Sequence, residues 1–164
     1  MVSSDYDDFF RRVLPRAVAV ARRVTGERSS AEDAAVEALA RAHLHWKRMG
    51  PLPWRDAWVL RVTTHEALRH LPKPLAMSSP VPAADEADAV ALRQALVAAL
   101  RRLPTRQREA VVLRYLADLS ERDVGLALGI HQGTVKTHLH RGLLALRDLM
   151  GHDLKEEDLG HLGL

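Results

Sequence analysis

Six residues near the C-terminal end of the sequence combine small size, hydrogen-bonding groups and positive charge at a helical spacing. At about 100° of rotation per residue, one face of the stretch 132–149 carries Gly133, Thr134, Thr137, His140 and Arg141, with Lys136 on its flank. The opposite face repeats apolar residues at Val135, Leu139, Leu143 and Leu146. Cationic side chains contact phosphates, and polar side chains read base edges. The pattern predicts a helix that is buried on one side and enters the DNA major groove with the other.

A shorter helix and a tight turn precede this helix and must hold it in place. Ser120 followed by Asp123 approximates a capping box, which marks a helix start. Gly129 can adopt the positive φ of a sharp exit, and Gly125 allows a second helix to approach closely. The alternative is an ordinary helical hairpin with a solvated cationic face. The two glycines together with the Gly-Thr-Val-Lys start at 133–136 favour a helix-turn-helix.

Composition favours an all-α protein without disulfides. The 164 residues are 47% apolar but only 4% aromatic, so the core must consist mainly of leucine, valine and alanine. The absence of cysteine excludes disulfides and thiolate zinc sites. The net charge of +3 is compatible with DNA binding. Asp5, Asp7 and Asp8 stand where a signal peptide would be basic, and no apolar run is as long as a membrane span. We therefore expect a cytoplasmic protein.

The periodicity divides the chain into two small helical domains joined by a flexible linker. Before the linker, helices are predicted from Tyr6 to Thr25, with a kink or break at Pro15, and over 31–46 and 54–70. Prolines and small residues without helical period then predict a linker. After it, helices are predicted over 89–103 and 105–116, and the helix-turn-helix follows. The resulting divisions are a first domain at 1–70, the linker at 71–88, a second domain at 89–150 and a tail at 151–164.

The residues offer little support for an enzyme or a metalloprotein. The sequence has nine histidines, but His138 and His140 point in different directions on a helix, and His65 and His70 are also poorly spaced for joint ligation. No Ser-His-Asp ordering or phosphate-binding glycine loop is evident. We expect no catalytic residues, no metal, no cofactor and no small-molecule substrate.

Two sets of motifs resemble bacterial sigma factors of the extracytoplasmic-function group. The second domain resembles region 4 of that group in the segments LPTRQRE (103–109), VLRY (112–115), Leu119-Ser120, GTVK (133–136), His140-Arg141 and Leu146-Arg147. The first domain resembles region 2 in Thr25-Gly26, Ala31-Glu32-Asp33 with Glu37, and Trp58 with Arg61 and Val62. The resemblance covers nearly all of the chain outside the linker and tail.

The resemblance implies a subunit that confers promoter recognition on RNA polymerase core enzyme. Its second helix would contact the polymerase clamp through Asp33, Val36, Glu37 and Arg41. The minus-ten element would be read by Trp54, in a pocket for an extruded base formed by 50–54, and by Arg61, Thr64, His65 and Arg69. The minus-thirty-five element would be read by Gln132, Gly133, Thr134, Lys136, Thr137, His140 and Arg141. Family habit also implies an anti-sigma factor as partner, although no residue identifies one.

Several residues depart from the family pattern and keep other functions open. Val36 replaces a usual glutamine beside the clamp contact, and His65 replaces a usual asparagine in the promoter-reading helix. Thr63 stands at a small apolar position, and His131 replaces a serine N-cap. The alternatives are a polymerase-independent regulator of the LuxR type, which 134–138 also resembles, and a sigma-like partner-binding protein that no longer initiates transcription.

Overall fold

The computed structural model describes residues 2–70 and 84–151, and every regular element in these ranges is helical. The elements are α1 (Val2–Thr25), α2 (Arg28–Leu44), α3 (Trp46–Met49), α4 (Arg55–Arg69), α5 (Ala84–Arg102), α6 (Thr105–Val111), a π-helix (Val112–Leu116), α7 (Glu121–Leu128) and α8 (Gln132–Met150). The predicted all-α class is confirmed. Within the described ranges, no helix is long and apolar enough to cross a membrane.

The first helix is longer than its sequence pattern predicted. It begins before Tyr6 and continues through Pro15 to Thr25, so the local break expected at the proline does not occur. Proline removes one backbone hydrogen bond. The turns on either side bury Val13 and Ala17, and this packing keeps the helix continuous.

The second helix starts and ends earlier than predicted. It begins at Arg28 rather than Ala31 and ends at Leu44, and Trp46 opens the separate turn α3. Apart from Leu39, its buried residues are all alanine: Ala31, Ala34, Ala35, Ala38 and Ala42. Helix separation depends on the side chains at the contact, so this alanine face lets α1 and α4 pack closely on α2.

The helix after the linker begins earlier than the sequence indicated. Helix α5 starts at Ala84, so residues 84–88, which were assigned to the linker, are helical. Residues 71–83 of the predicted linker and 152–164 of the predicted tail lie outside the described residues. The division into separately folding domains stays a prediction.

The helix-turn-helix is confirmed in its details. Ser120 is the N-cap of α7, and its hydroxyl oxygen accepts a hydrogen bond from the Asp123 backbone N–H at 3.1 Å. Gly129 has a φ of 66° at the exit from α7. A methyl group on Gly125 would lie 2.8 Å from the Ile130 carbonyl oxygen. Gly125 therefore makes room for the turn itself, and through it for α8.

Glycine also permits a close contact that the sequence pattern did not reveal. Gly142 is buried in the middle of α8, and a Cβ at this position would lie 2.7 Å from Cγ2 of Val111. Contacts this short are sterically excluded, so α8 can lie against α6 only because residue 142 has no side chain. Nothing in the local sequence pattern distinguishes Gly142 from its helical neighbours or indicates this contact.

The helix predicted from Thr105 to Leu116 changes its hydrogen bonding at Val112. The Ala117 N–H donates to the Val112 carbonyl at 3.1 Å, which is the spacing of a π-helix. Asp118 follows with a positive φ of 52° and ends the element. The last carbonyl groups of a helix have no partner within the helix, so this end needs donors from elsewhere.

Arginines of α1 supply those donors, from the first of the two described segments, 2–70 and 84–151. Arg16 donates to the Ala117 carbonyl at 3.0 Å, and Arg23 donates to the Leu116 carbonyl. The two arginines are seven residues apart, so they lie on the same side of α1. In the reverse direction, Arg101 of α5 donates to the Leu68 carbonyl near the end of α4, at 3.0 Å. Each segment thus caps a helix of the other.

We predict that Arg16→Ala and Arg23→Ala each lower the free energy of unfolding of the full chain by about 1–2 kcal/mol, because each leaves a partly buried carbonyl without its charged donor. Urea denaturation measures the effect. Arg11→Ala is the matched control, because Arg11 and its partner Asp8 are both 77% exposed and 3.7 Å apart. Equal stabilities for all three variants would contradict a structural role for the caps.

Candidate DNA and polymerase interfaces

The residues predicted to read DNA lie together on the solvent-facing side of α8. All seven are exposed: Gln132, Gly133, Thr134, Lys136, Thr137, His140 and Arg141. Val135, Leu139 and Leu146 are buried beneath them, whereas Leu143 is only half-buried. The two faces therefore separate as the periodicity predicted. That these residues contact DNA stays a prediction.

One carboxylate at the start of α7 holds two of these side chains. Gln132 donates from Nε2 to Oε2 of Glu121 at 3.1 Å, and Nζ of Lys136 lies 3.9 Å from the same oxygen. Arg141 makes no ion pair within the described part of the chain. His131 is the N-cap of α8 but provides no side-chain cap, so the departure from serine leaves the first turn without that hydrogen bond. Sequence reasoning did not select Glu121.

The residues predicted to contact polymerase form an exposed apolar stripe with acidic flanks on α2. Val36 is 50% exposed and Leu44 is 78% exposed. They stand eight residues apart, with the exposed Ala40 between them, so the three share one side of the helix. Asp33 and Glu37 lie beside the stripe, and Glu37 is exposed. Protein partners commonly cover exposed apolar surface, and that polymerase covers this stripe stays a prediction. Leu44 was missed, although its spacing from Val36 could have revealed it.

Arg41 differs from the other members of this set. Its Nε donates to Oε1 of Glu37 at 3.0 Å, and its Nη1 lies 2.9 Å from Oε1 of Glu66 on α4. Arg41 is therefore shared between the exposed face of α2 and the neighbouring helix.

The residues of α4 predicted to read the minus-ten element border a cavity of about 160 Å³ between α4 and the helices α5 and α6. Arg61 pairs with Glu109 of α6, with Nη2 at 2.7 Å from Oε1. Thr64 is only 4% exposed, and its hydroxyl donates to the Arg61 carbonyl at 2.9 Å. His65 and Arg69 are exposed at the edge of the cavity. In this arrangement α6 covers part of the predicted DNA-reading face.

Trp54 is the half-buried N-cap of α4 and lines a groove with Arg16 and Leu119. Arg12 lies in the same groove and forms a bidentate hydrogen bond with Asp56, which raises the pKa of the Arg12 guanidinium. The other end of the predicted base pocket, at residues 50 and 51, lines a different groove beside α1. The two ends of loop 50–54 thus border separate grooves.

The fold and these surfaces define a class of protein: an all-helical DNA-binding protein whose helix-turn-helix accompanies a second helical segment. Comparison with known families specifies the class further. The family model for Sigma-70 region 2 matches residues 9–73, and the model for Sigma-70 region 4 matches residues 93–146.

Individual relatives agree with this assignment. The chain is 31% identical over 159 residues to the RNA polymerase sigma-E factor of Streptomyces coelicolor, covering 92% of this chain and 89% of that protein. It is 29% identical over 145 residues to the ECF RNA polymerase sigma factor SigW of Bacillus subtilis, covering 76% and 78%. The chain belongs to the sigma factors of RNA polymerase, in the extracytoplasmic-function group.

A solved structure has the same fold. The sigma factor RpoE of Bartonella quintana, crystallised with the anti-sigma factor NepR, matches with a TM-score of 0.56 and 22% identity over 92% of this chain and 99% of that one. The match to region 2 separates this chain from a polymerase-independent regulator of the LuxR type, because such a regulator needs no region 2 segment. Promoter recognition is the function that the family membership supports.

We predict that Lys136→Ala and Arg141→Ala weaken duplex binding by the full chain. Removal of one phosphate contact should reduce the slope of log affinity against log salt by about one. Removal of a base contact should instead cost about 1–3 kcal/mol at one position of the site. Fluorescence anisotropy over a salt series measures both quantities. Arg28→Ala removes the same charge from α2, far from α8 in sequence, and should have no such effect. Unchanged slope and affinity in both α8 variants would place the DNA-binding face elsewhere.

Proposed function

We propose that this sigma factor divides promoter recognition among three surfaces. The solvent-facing side of α8 reads the minus-thirty-five element, α4 with Trp54 reads the minus-ten element, and α2 binds the core enzyme. The observation that carries the proposal is the α8 face. The residues predicted from sequence to read DNA share that face, opposite the buried side chains of Val135, Leu139 and Leu146.

The composition of α8 suits major-groove reading. Gly133 has open space around its Cα, so the DNA can approach the helix start closely. The Thr137 hydroxyl donates to the Gly133 carbonyl at 3.2 Å, and its oxygen can still accept a hydrogen bond from a base. Lys136 and Arg141 supply the cations that phosphates require. Glu121 holds Lys136 only loosely, at 3.9 Å, so a phosphate can replace it.

The composition of α2 suits a helical protein partner with basic residues at its edges. Val36, Ala40 and Leu44 offer an apolar stripe, and Asp33 and Glu37 offer carboxylates beside it. Buried apolar contact provides affinity, and flanking charge provides orientation and partner choice. Valine in place of the usual glutamine at position 36 makes the stripe more apolar, so Val36 can serve the polymerase contact as part of that stripe.

Reading the minus-ten element with α4 requires α6 to move away. Thr64 is covered, and the Arg61 guanidinium is occupied by Glu109. We therefore propose that the two segments separate when the protein engages its promoter. The predicted linker would permit this, because two domains that read separate DNA elements need a span between them.

We predict that Glu109→Gln increases the fraction of separated molecules in the free protein, because it removes the charge that holds Arg61. The chain has no cysteine, so fluorophores can be attached to cysteines introduced at the exposed positions Ser29 and Asp148. Single-molecule energy transfer should fall in the variant. Glu32→Gln removes the same charge from an exposed pair with Arg28 and should leave the transfer unchanged. Equal transfer in the two variants would show that the Arg61–Glu109 pair does not hold the segments together.

The partners follow from this function. Sigma factors bind RNA polymerase core enzyme and promoter DNA, and we infer that the chain acts where both are found, in the cytoplasm. The family consists of transcription factors, and we infer that this member has no enzymatic activity of its own. The relative from Bartonella quintana was crystallised with an anti-sigma factor, which supports the proposal of such a partner here.

The decisive experiment is reconstitution with core enzyme. We expect core enzyme plus this chain to initiate transcripts from some members of a random promoter library, whereas neither component does so alone. Glu37→Lys should weaken core binding, because it reverses a charge beside the apolar stripe, and should leave duplex binding by α8 intact. Glu32→Lys is the control on the same helix.

Three outcomes would contradict the proposal in different ways. Tight, specific binding to a dimeric site without polymerase would favour a regulator. Core binding without initiation at any promoter would favour a sigma-like protein that no longer initiates transcription. Equal core binding by the Glu37 and Glu32 variants would show that the polymerase contact does not include the acidic flank of α2.

A further inference from the structure

Glu66 of α4 is the one charged residue among the buried residues of the described chain. It is 1% exposed and pairs with Arg41 of α2, and the buried Thr63 lies one turn earlier on the same side of α4. Transfer of a carboxylate out of water is costly unless the carboxylate is both paired and hydrogen-bonded. Sequence reasoning did not select Glu66, because in the pattern it looks like one polar residue among several in α4.

Three cationic or protonatable groups surround the Glu66 carboxylate. Oε1 lies 2.9 Å from Nη1 of Arg41 on α2 and 3.6 Å from Nη1 of Arg69, and Oε2 lies 3.2 Å from Nε2 of His70. Two of these partners belong to predicted functional surfaces. Arg41 belongs to the polymerase-binding set, and Arg69 belongs to the minus-ten set.

Alternating charges therefore run from one predicted surface to the other. The exposed Glu37 pairs with Arg41, Arg41 pairs with the buried Glu66, and Glu66 approaches Arg69. Glu37 and Arg69 are both exposed at the ends of this row. Within the described residues, this row of charged side chains joins α2 to α4, the helix that is predicted to read the minus-ten element.

The hydrogen bonding of Glu66 argues against a purely stabilising role. Its Oε1 makes no hydrogen bond of normal geometry despite the nearby Arg41, and the buried hydroxyl of Thr63 one turn earlier is also unpaired. Incompletely satisfied buried groups cost stability. Apolar residues of similar volume often replace buried ion pairs with no loss of stability or with a gain. A glutamate at this position therefore needs an explanation other than stability.

We propose that Glu66 is a positioning residue that orients Arg41 and Arg69, and thereby couples the polymerase-binding face of α2 to minus-ten recognition by α4. This inference rests on the proposed function. In this proposal Glu66 itself contacts neither polymerase nor DNA. It restricts the guanidinium group of Arg69, so that Arg69 contacts DNA in one register, and it fixes Arg41 beside Glu37.

The test compares the wild-type chain with Glu66→Gln, each reconstituted with core enzyme. An oligonucleotide selected by the wild-type holoenzyme from a random single-stranded pool serves as the cognate strand, and its scrambled sequence serves as the reference. We expect discrimination between the two to fall about two- to fivefold, the effect of losing one partly exposed ion pair. Affinity for the scrambled strand should stay constant or rise, because the surroundings of Arg69 become more positive. The thermal midpoint of the free chain should not fall.

Double variants separate positioning from general damage. If Glu66 acts through Arg69, Glu66→Gln combined with Arg69→Gln should discriminate no worse than Arg69→Gln alone, because the two changes remove one interaction. Glu32→Gln is the control, since its pair with Arg28 is exposed and lies away from α4. Glu66→Met provides a second variant in case an unpaired buried glutamine destabilises the fold, and we expect its discrimination to fall in the same way.

The outcomes distinguish this inference from the function on which it rests. Unchanged discrimination in both Glu66 variants would overturn the positioning role alone. A lower thermal midpoint in both variants, with both affinities falling in parallel, would show that Glu66 is structural and would also overturn it. A wild-type holoenzyme that selects no oligonucleotide would overturn minus-ten recognition by the proposed surface, and the Glu66 inference with it.

Discussion

Arginine side chains that cap the carboxyl ends of helices hold the two halves of this protein together. Arg16 and Arg23 of α1 satisfy carbonyls at the end of the π-helix, and Arg101 of α5 satisfies the Leu68 carbonyl of α4. A guanidinium group suits this role, because it carries several donors and a charge that complements the negative end of a helix. The position of α6 over α4, and hence the coverage of the predicted minus-ten face, depends on these contacts.

The same kind of side chain serves the folded arrangement and the proposed DNA contacts, so the two compete. Arg61 pairs with the Glu109 carboxylate in the described structure, whereas the proposed function would give it a DNA partner. Such partly exposed pairs contribute modestly to stability and are weakened by salt. The pair therefore adds little resistance to separation, and the larger part comes from the apolar side chains of both segments, which belong to one core cluster.

The departures from the family pattern acquire different meanings in the structure. Val36 extends an exposed apolar stripe, and His65 remains exposed at the edge of the α4 cavity. Thr63 is fully buried with an unpaired hydroxyl and lies one turn from Glu66, which is buried as well. The polar character of this helix interface therefore arises from two neighbouring residues, and it concentrates where α4 meets α2.

The sequence alone determined the helical class, the helix-turn-helix and the exposed polar face of α8, because all of these follow from local periodicity, capping and turn residues such as Ser120 and Gly129. The predicted helix boundaries were less accurate. Helix α1 continues through Pro15 because its neighbouring turns are packed in the core, and α5 begins within the predicted linker. Only the tertiary structure could show that Gly142 admits α6, that Glu109 pairs with Arg61 and that Glu66 is buried among cations from two helices. These features join residues far apart in the chain or depend on burial. Local spacing contains no information about which distant helix will cover a given face.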